Sequence, residues 1–406
     1  MIISRPRIEE QGRELRAVST IRFADGTARD LWFSLPATFG EGLLEANADP
    51  FLMALLQEAM LRGEDIRVEG SLSKRLWFNA ERHLQPMMQL LRYKLSRVRI
   101  EPEALRDDAT MGTGAGLAFS GGVDSFYALL DHHAECDDPL YRVTHLFIAS
   151  VGAILDRDWT ARQAQMRAVA EMHGIGAIPI ASNLNELLTL PLVKSHTLRT
   201  MSCPALLPRL FRRVYLASGY NYHDIKPNNY YLSPLEPAFV HLLSTAQTEM
   251  ILTGAQHSRI HKTQRIADLP SAQRHLNVCV SPITDRNCSR CWKCTRTEFT
   301  LEMYGKLDKF DQAFDLDVWK KVRSAYVGEW LLNRNKRRIT IVKEVQQLAR
   351  ERGYAYSRWE RFLGVVASTM PKRVYDRIAL SGRADLLPPT AGDAAEPAAT
   401  AARQPV

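Results

Sequence analysis

The chain has 406 residues, of which 46% are apolar and 24% charged, the balance of a water-soluble globular protein and not of a disordered or fibrous one. That length exceeds one ordinary core and predicts two or three domains. With 53 basic against 45 acidic residues the net charge is +8, which favours an anionic partner such as nucleotide phosphates, but the basic residues read as spread along the chain and so favour RNA less.

The first residues, MIISRPRIEEQGRELR, carry charges throughout and lack an apolar core, so no secretory signal is expected. No run approaches the about 20 apolar residues needed to span a bilayer. A cytoplasmic address follows as the expectation, and there thiols stay reduced and clustered cysteines suggest metal before disulfides.

Residues 14–36 predict a hairpin about the turn Ala24-Asp25-Gly26. Helices are expected near 50–62 and 74–92 with the strand DIRVEG between them, and KLSRVRIEP as a closing strand. Together residues 1–112 make a small α+β domain with no chemical motif. Met111-Gly112-Thr113-Gly114-Ala115-Gly116 reads as a flexible hinge.

From Leu117 strands and helices alternate: strand GLAF, helix DSFYALLDHH, strand VTHLFIA, helix DWTARQAQMRAVAEMHG and strand AIPIAS. Helix-like PALLPRLFRR then leads into strand VYLASGY, and helix-like HLLSTAQ into strand EMILTGA. Such alternation predicts an α/β fold with a doubly wound parallel sheet, covered on both faces and binding ligands at the carboxyl ends of its strands. This domain is placed at 115–310. A helical extension follows at 311–387, with widely spaced aromatics (Trp319, Tyr326, Trp330, Trp359, Phe362). The Pro- and Ala-rich residues 388–406 read as a disordered tail.

Between the first of these strands and its helix lies Ser120-Gly121-Gly122-Val123-Asp124-Ser125. Two glycines let backbone amides approach an anion, and the helix adds its positive amino-terminal end. Ser120 and Ser125 offer hydroxyls, and Asp124 suits a magnesium ion at the phosphates. No Gly-Lys-Ser/Thr follows, so this is not a Walker loop. Ile251-Leu252-Thr253-Gly254-Ala255-Gln256-His257 is a second strand running into a Gly turn. After it, Arg259 and Lys262 could stabilise negative charge on a bound phosphate group, or simply line a solvated basic helix. Gly219, ending the preceding strand, is a further candidate for a nucleotide or substrate pocket.

Cys279, Cys288, Cys291 and Cys294 form Cys-x8-Cys-x2-Cys-x2-Cys. Two-residue spacers turn neighbouring thiolates onto one ion, and four sulfurs with no open position suit a structural zinc knuckle. An iron–sulfur cluster is the rival, but the Cys-Pro ending of the ferredoxin run is missing. Arg290, Lys293 and Arg296 would offset the tetrathiolate charge, and Cys136 and Cys203 stand alone.

The six-residue loop resembles the SGGxDS signature of the PP-loop (N-type ATP pyrophosphatase) superfamily, whose members cleave ATP between the α- and β-phosphates. With the cysteine cluster near the end of the same domain, residues 115–310 are similar to the 7-cyano-7-deazaguanine synthase branch, which turns a carboxylate into a nitrile with ATP and ammonia and carries a four-cysteine zinc site. The resemblance implies an ATP-binding role for Ser120 through Ser125, with Mg2+, and a Zn2+ role for the four cysteines. It implies activation of a small-molecule carboxylate or carboxamide as an adenylate, then attack by ammonia or an amine. The family has no counterpart of residues 1–112 or of the helical extension, and the segments LSPLEPAFVHLLS (232–244) and NCSRCWKCTRTEFTLEMYGKLDKF (287–310) point to a divergent branch with another substrate. Sulfur insertion into a nucleic-acid base and a non-catalytic nucleotide-binding role are the alternatives, and a homo-oligomer is compatible with either.

Overall fold

A computed structural model describes residues 1–91, 94–107, 112–152, 156–227, 231–279 and 286–381. The expected tail, 388–406, lies outside them, as does Met111. Among the described residues no helix is long and apolar enough to cross a membrane. The chain divides into two compact units, Met1–Ser120 with Asp124–His257, and Gly121–Val123 with Ser258–Val406.

The first unit is organised by one eleven-stranded sheet. Its strands are β1 (Ile2–Ile3), β2 (Arg7–Gln11), β3 (Glu14–Arg22), β4 (Ala28–Pro36), β5 (Ile66–Ser73), β6 (Ile100–Arg106), β7 (Gly114–Ala118), β8 (His145–Ser150), β9 (Gly176–Ser182), β10 (Phe211–Ala217) and β11 (Glu249–Thr253). They run in the order β11-β10-β7-β8-β9-β4-β3-β1-β5-β6, with β2 paired to β3. The five strands from β7 to β11 are mutually parallel. Numbered from β7 their order is 3-2-1-4-5, the arrangement of doubly wound dinucleotide folds. The chain moves from β7 to β8 and β9 on one side, then crosses back to β10 and β11 on the other. The switch point is therefore between β7 and β10.

The amino-terminal strands belong to this same sheet. The β3–β4 hairpin turns where expected, with Gly26 at φ 84° and Asp25 Oδ1 accepting from the Thr27 amide at 2.8 Å. β4 then pairs antiparallel with β9 through Phe33↔Ser182 and Ser34↔Ala181. Asn183 reinforces the join, accepting from the Trp32 amide and donating to the Asp30 carbonyl. Helix α1 (Asp49–Arg62) is started by Pro50 and ended by Gly63 in the left-handed region, and it is buried along nearly its whole length. One continuous core includes Phe33 and Phe51 from the amino-terminal part and Phe147, Ile178 and Phe211 from the parallel part. The sequence division at residue 112 is not a division of the sheet or of this core.

Three local expectations are corrected. The glycine run placed in a hinge is the start of β7 packed against β10. A Cβ on Gly116 would lie 3.0 Å from the Phe211 ring, and one on Gly114 would lie 2.9 Å from the Leu210 carbonyl oxygen. These glycines permit close approach, not flexibility. The helix expected at 204–213 is a single turn, Pro204–Leu206. Pro208 has no amide to continue it, and Leu207 before it leaves the helical region at φ −113°, ψ 51°. The true helix, α4 (Leu192–Ser202), lies one element earlier; α2 (Val123–Leu129) and α3 (Asp156–Met172) follow β7 and β8. HLLSTAQ likewise yields only one turn, Val240–Leu243.

The second unit is helical, with α5 (Arg259–Ile266), α6 (Trp292–Met303), α7 (Leu316–Tyr326), α8 (Thr340–Glu351), α9 (Arg358–Thr369) and α10 (Lys372–Ala379); the last four lie in the stretch expected to be helical, 311–387, whereas α5 and α6 fall in residues assigned from sequence to the α/β domain. A reciprocal capping box between Ser357 and Glu360 starts α9, and Asp315 caps α7. Leu363, Val366 and Tyr375 pack α9 against α10.

Candidate functional site

The four cysteines called from spacing meet at one point, their sulfurs all within 4.8 Å of one another. Cys288 Sγ lies 3.9 Å and Cys291 Sγ 3.4 Å from Cys294 Sγ. A tetrahedron of sulfurs about 2.3 Å from a central ion has edges of about 3.8 Å, so these separations fit a single metal ion such as zinc. The Cys291 amide donates to Cys288 Sγ at 3.3 Å, the local turn that a two-residue spacer makes. Ser289, inside that turn, takes a left-handed φ of 53°. Cys291 then ends the turn as the cap of α6, which carries Cys294 into the cluster.

The crowding has an electrostatic consequence. The hydrogen bond from Cys288 lowers the Cys279 thiol to about 7, whereas neighbouring sulfurs, Cys279 first, push Cys288 and Cys294 well up. One thiolate is easily held here; four require a cation among them. Glu298, one turn beyond Cys294 and fully buried, is raised well above the carboxylate range, first by burial and further by the nearby thiols. Of the cations expected to offset the thiolates, Lys293 and Arg296 lie over the Trp292 ring.

Asn287 escaped the sequence reading, although it stands immediately before Cys288. Buried, its side-chain oxygen accepts from the amides of Val278 (2.8 Å) and Cys279 (3.0 Å), and its nitrogen donates to the carbonyls of Leu276 (2.7 Å) and Ala313 (2.9 Å). It thereby fixes the distant cysteine of the spacing pattern. Ser289 Oγ accepts from the Asp315 amide, tying the knuckle to the start of α7.

The loop Ser120–Ser125 leaves the carboxyl end of β7 at the switch point. Phe119 continues the sheet by donating to the Phe147 carbonyl, and its ring meets Phe126 edge-on at 5.0 Å. Gly121 turns the chain at φ 76°, a conformation that L side chains rarely adopt. Ser120 and Ser125 bring their hydroxyl oxygens to 3.3 Å. Val123 is buried at the start of α2, which winds on through a wider turn to Ala134, and Asp124 is half-buried on its first turn. The Gly121 carbonyl accepts from the Asn277 amide at 2.7 Å.

The neighbouring strand ends also turn sharply. At the end of β10, buried Ser218 donates its hydroxyl to the Tyr220 carbonyl, and Gly219 beside it is exposed. At the end of β11, Gly254 turns at φ 79°, and Thr253 Oγ1 meets His132 Nε2 at 2.6 Å. Ser258 caps α5, accepting from the His261 amide. Arg259 is half-buried at the first position of that helix, whereas Lys262 is only 1% exposed. Cys203 is buried with its thiol pushed up to about 12 by burial, the surroundings of an unreactive core cysteine, whereas Cys136 is partly exposed.

No family model matches this sequence, and no characterised protein or solved structure matches it.

Proposed function

We propose that the protein is an ATP-dependent, AMP- and pyrophosphate-forming enzyme that activates a carboxylate or carboxamide of a small molecule for attack by ammonia or an amine. The observation that carries this reading is Ser120-Gly121-Gly122-Val123-Asp124-Ser125 at the carboxyl end of β7, the switch point of a 3-2-1-4-5 sheet. The backbone amides of this loop, with Ser120 and Ser125, would hold phosphate oxygens. Asp124 would hold Mg2+, which neutralises phosphate charge when bound. The acceptor oxygen attacks the α-phosphorus, its bond to the pyrophosphate oxygen breaks, and the resulting adenylate loses AMP when the nitrogen nucleophile adds to its carbon. Positioning and charge stabilisation suffice for both steps, without a covalent protein nucleophile. Gly219 and Gly254 are assigned to the nucleotide pocket, and Arg259 and Lys262 to the departing pyrophosphate.

We assign the four-cysteine centre to zinc. The short sulfur separations favour one ion over the four-iron cluster of the ferredoxin run, in which each cysteine binds a different iron and the sulfurs therefore stand farther apart. Six cysteines without a disulfide among them suit a reducing, cytoplasmic compartment.

The test is to incubate the purified chain with ATP, Mg2+, ammonia and a panel of carboxylic acids and follow AMP, pyrophosphate and adduct mass, alongside metal analysis. Acid-dependent AMP release and about one zinc per chain support the reading. ADP as the product, or stoichiometric iron with sulfide, contradicts it.

A further inference from the structure

The charge of the chain is concentrated, not spread. Residues 311–381 hold fifteen Lys and Arg against eight Asp and Glu, an excess of seven out of +8 for the whole protein. Within this stretch four of the cations stand in residues 334–338 and five on α9 and α10. Residues 357–381 contain two acids, and neither faces solvent as a free charge: Glu360 is buried against Arg323 and Tyr354, and Asp376 is bound by Lys372 at 3.1 Å. Arg358, Arg361, Lys372, Arg373 and Arg377 are all exposed.

The same face carries exposed aromatics. Trp359 and Phe362 are 47% and 48% exposed and lie nearly parallel, ring centres 5.3 Å apart at 24°. On α9 the exposed positions Arg358, Arg361, Phe362, Val365 and Thr369 follow the three- and four-residue spacing of one helix face, opposite Leu363 and Gly364, which are buried. At the far end Asn333 and Asn335 bond the Ala367 and Ser368 carbonyls, bringing the Arg-rich loop 334–338 to the same helix. Glu329 joins that loop to α10 by pairing with both Lys336 and Lys372.

We propose that this face of α9 and α10 binds single-stranded nucleic acid, its bases stacked on Trp359 and Phe362 and its phosphates held by the surrounding arginines. Flat aromatic rings accept any base, and planar guanidinium groups pair with phosphate oxygens two at a time. An anionic membrane would ask for a different pattern. In a helix lying at a bilayer surface the cations occupy the face opposite the apolar stripe. Here Arg358 and Arg361 flank Phe362 within the stripe, so inserting the ring would carry two arginines toward hydrocarbon.

The test uses the full chain without ATP, which separates it from the adenylation reading. Fluorescence anisotropy is measured with labelled RNA and DNA strands of about twelve nucleotides, a length within the usual site sizes. Vesicles with about 30% phosphatidylserine in phosphatidylcholine form the second arm, since anionic lipid offers the same charge. Saturable strand binding should weaken on the order of tenfold in Trp359→Ala with Phe362→Ala, the loss expected for removed base stacking. Arg358→Gln with Arg361→Gln should lower the slope of log affinity on log salt by about 1.4, two phosphate contacts' worth. All four side chains are exposed, and thermal melts of the variants check that the fold persists. Absence of strand binding by the wild type, unchanged binding in both double variants, or vesicle binding in place of strand binding would overturn the proposal.

Discussion

The amide of Asn277 donates to the carbonyl of Gly121 at 2.7 Å, so the turn of the Ser120–Ser125 loop rests on a backbone segment adjoining the four-cysteine cluster. Asn287 bonds Leu276, Val278 and Cys279 on either side of that amide, and Cys279 belongs to the sulfur cluster. Removing the metal should therefore disturb the loop. We expect chelator-treated protein that remains folded by circular dichroism to bind ATP on the order of tenfold more weakly, the scale of a lost supporting contact. Isothermal titration before and after zinc restoration reads the effect. Equal affinity with and without metal would break the link.

Asn287→Ala takes the side-chain partner from the amides of Val278 and Cys279 and from the Leu276 carbonyl in a buried place, while the Ala313 carbonyl keeps the backbone amide of residue 287. Metal affinity should fall by about tenfold to a hundredfold, and stability by about 2 kcal/mol or more. Asn287→Asp keeps the accepting oxygen and should fall between the alanine variant and the wild type. Competition against a chromophoric chelator ranks the three, and an alanine variant that holds zinc as tightly as the wild type rules out this positioning role.

Asp124 is half-buried, so its replacement need not disturb the core. Asp124→Asn should abolish AMP and pyrophosphate formation with a melting temperature within a few degrees of wild type. Turnover that survives the substitution would count against the proposed magnesium role.

Arg259→Ala should slow pyrophosphate release by about a hundredfold while changing ATP affinity little, the mark of a group acting on the transition state. Lys262 gives a less direct test, since a side chain only 1% exposed also supports packing. Lys262→Met keeps most of its volume and is the better partner variant. Pre-steady-state release within twofold of wild type in both would return these residues to a structural role.

Burial depresses three histidines of the first unit, His132, His145 and His173, below their ordinary value of 6.5. For His132 the adjacent Asp131 offsets part of the effect; for His173 nearby His133 adds to it. Protonation is thus harder in the folded chain than in the unfolded one. The associated stability is fully present above pH 6.5 and is lost as pH falls from there through the lowered folded values. Urea midpoints should drop between about pH 7.5 and pH 5.5, and His145→Gln should flatten part of that drop. A midpoint that rises on acidification would mean these rings are not held neutral.

Features written in local chemistry were legible in the sequence. The Asp25-Gly26 turn, the alternation from Leu117 onward and the meeting of four cysteines each depend on residues near one another in the chain or on a metal's fixed demands. What escaped depends on partners far away. Gly116 marks close packing because Phe211 arrives against it, and nothing local distinguishes that glycine from a hinge. Asn287 carries no spacing rule, since its partners are backbone groups that any residue could supply. The joining of β4 to β9 links residues about 150 apart, and the pairing of two apolar strands has no signature at that range. The Arg-rich face of α9 was missed for a different reason: a total charge conceals its distribution until burial shows which acids face inward.

The β4–β9 join sets a schedule for synthesis on the ribosome. Strands β1 to β6 emerge before the parallel strands, and the edge of β4, with Leu31, Phe33 and Leu35 destined for burial, has no partner until residues beyond Ala181 have been translated. An unpaired apolar edge is a template for association with other chains. At ordinary elongation rates of about 5 to 20 residues per second, that edge waits for many seconds. The nascent chain is therefore most vulnerable to aggregation and most dependent on chaperones in the interval between these two strands, and slowing translation between residues 36 and 182 would lower the yield of folded protein.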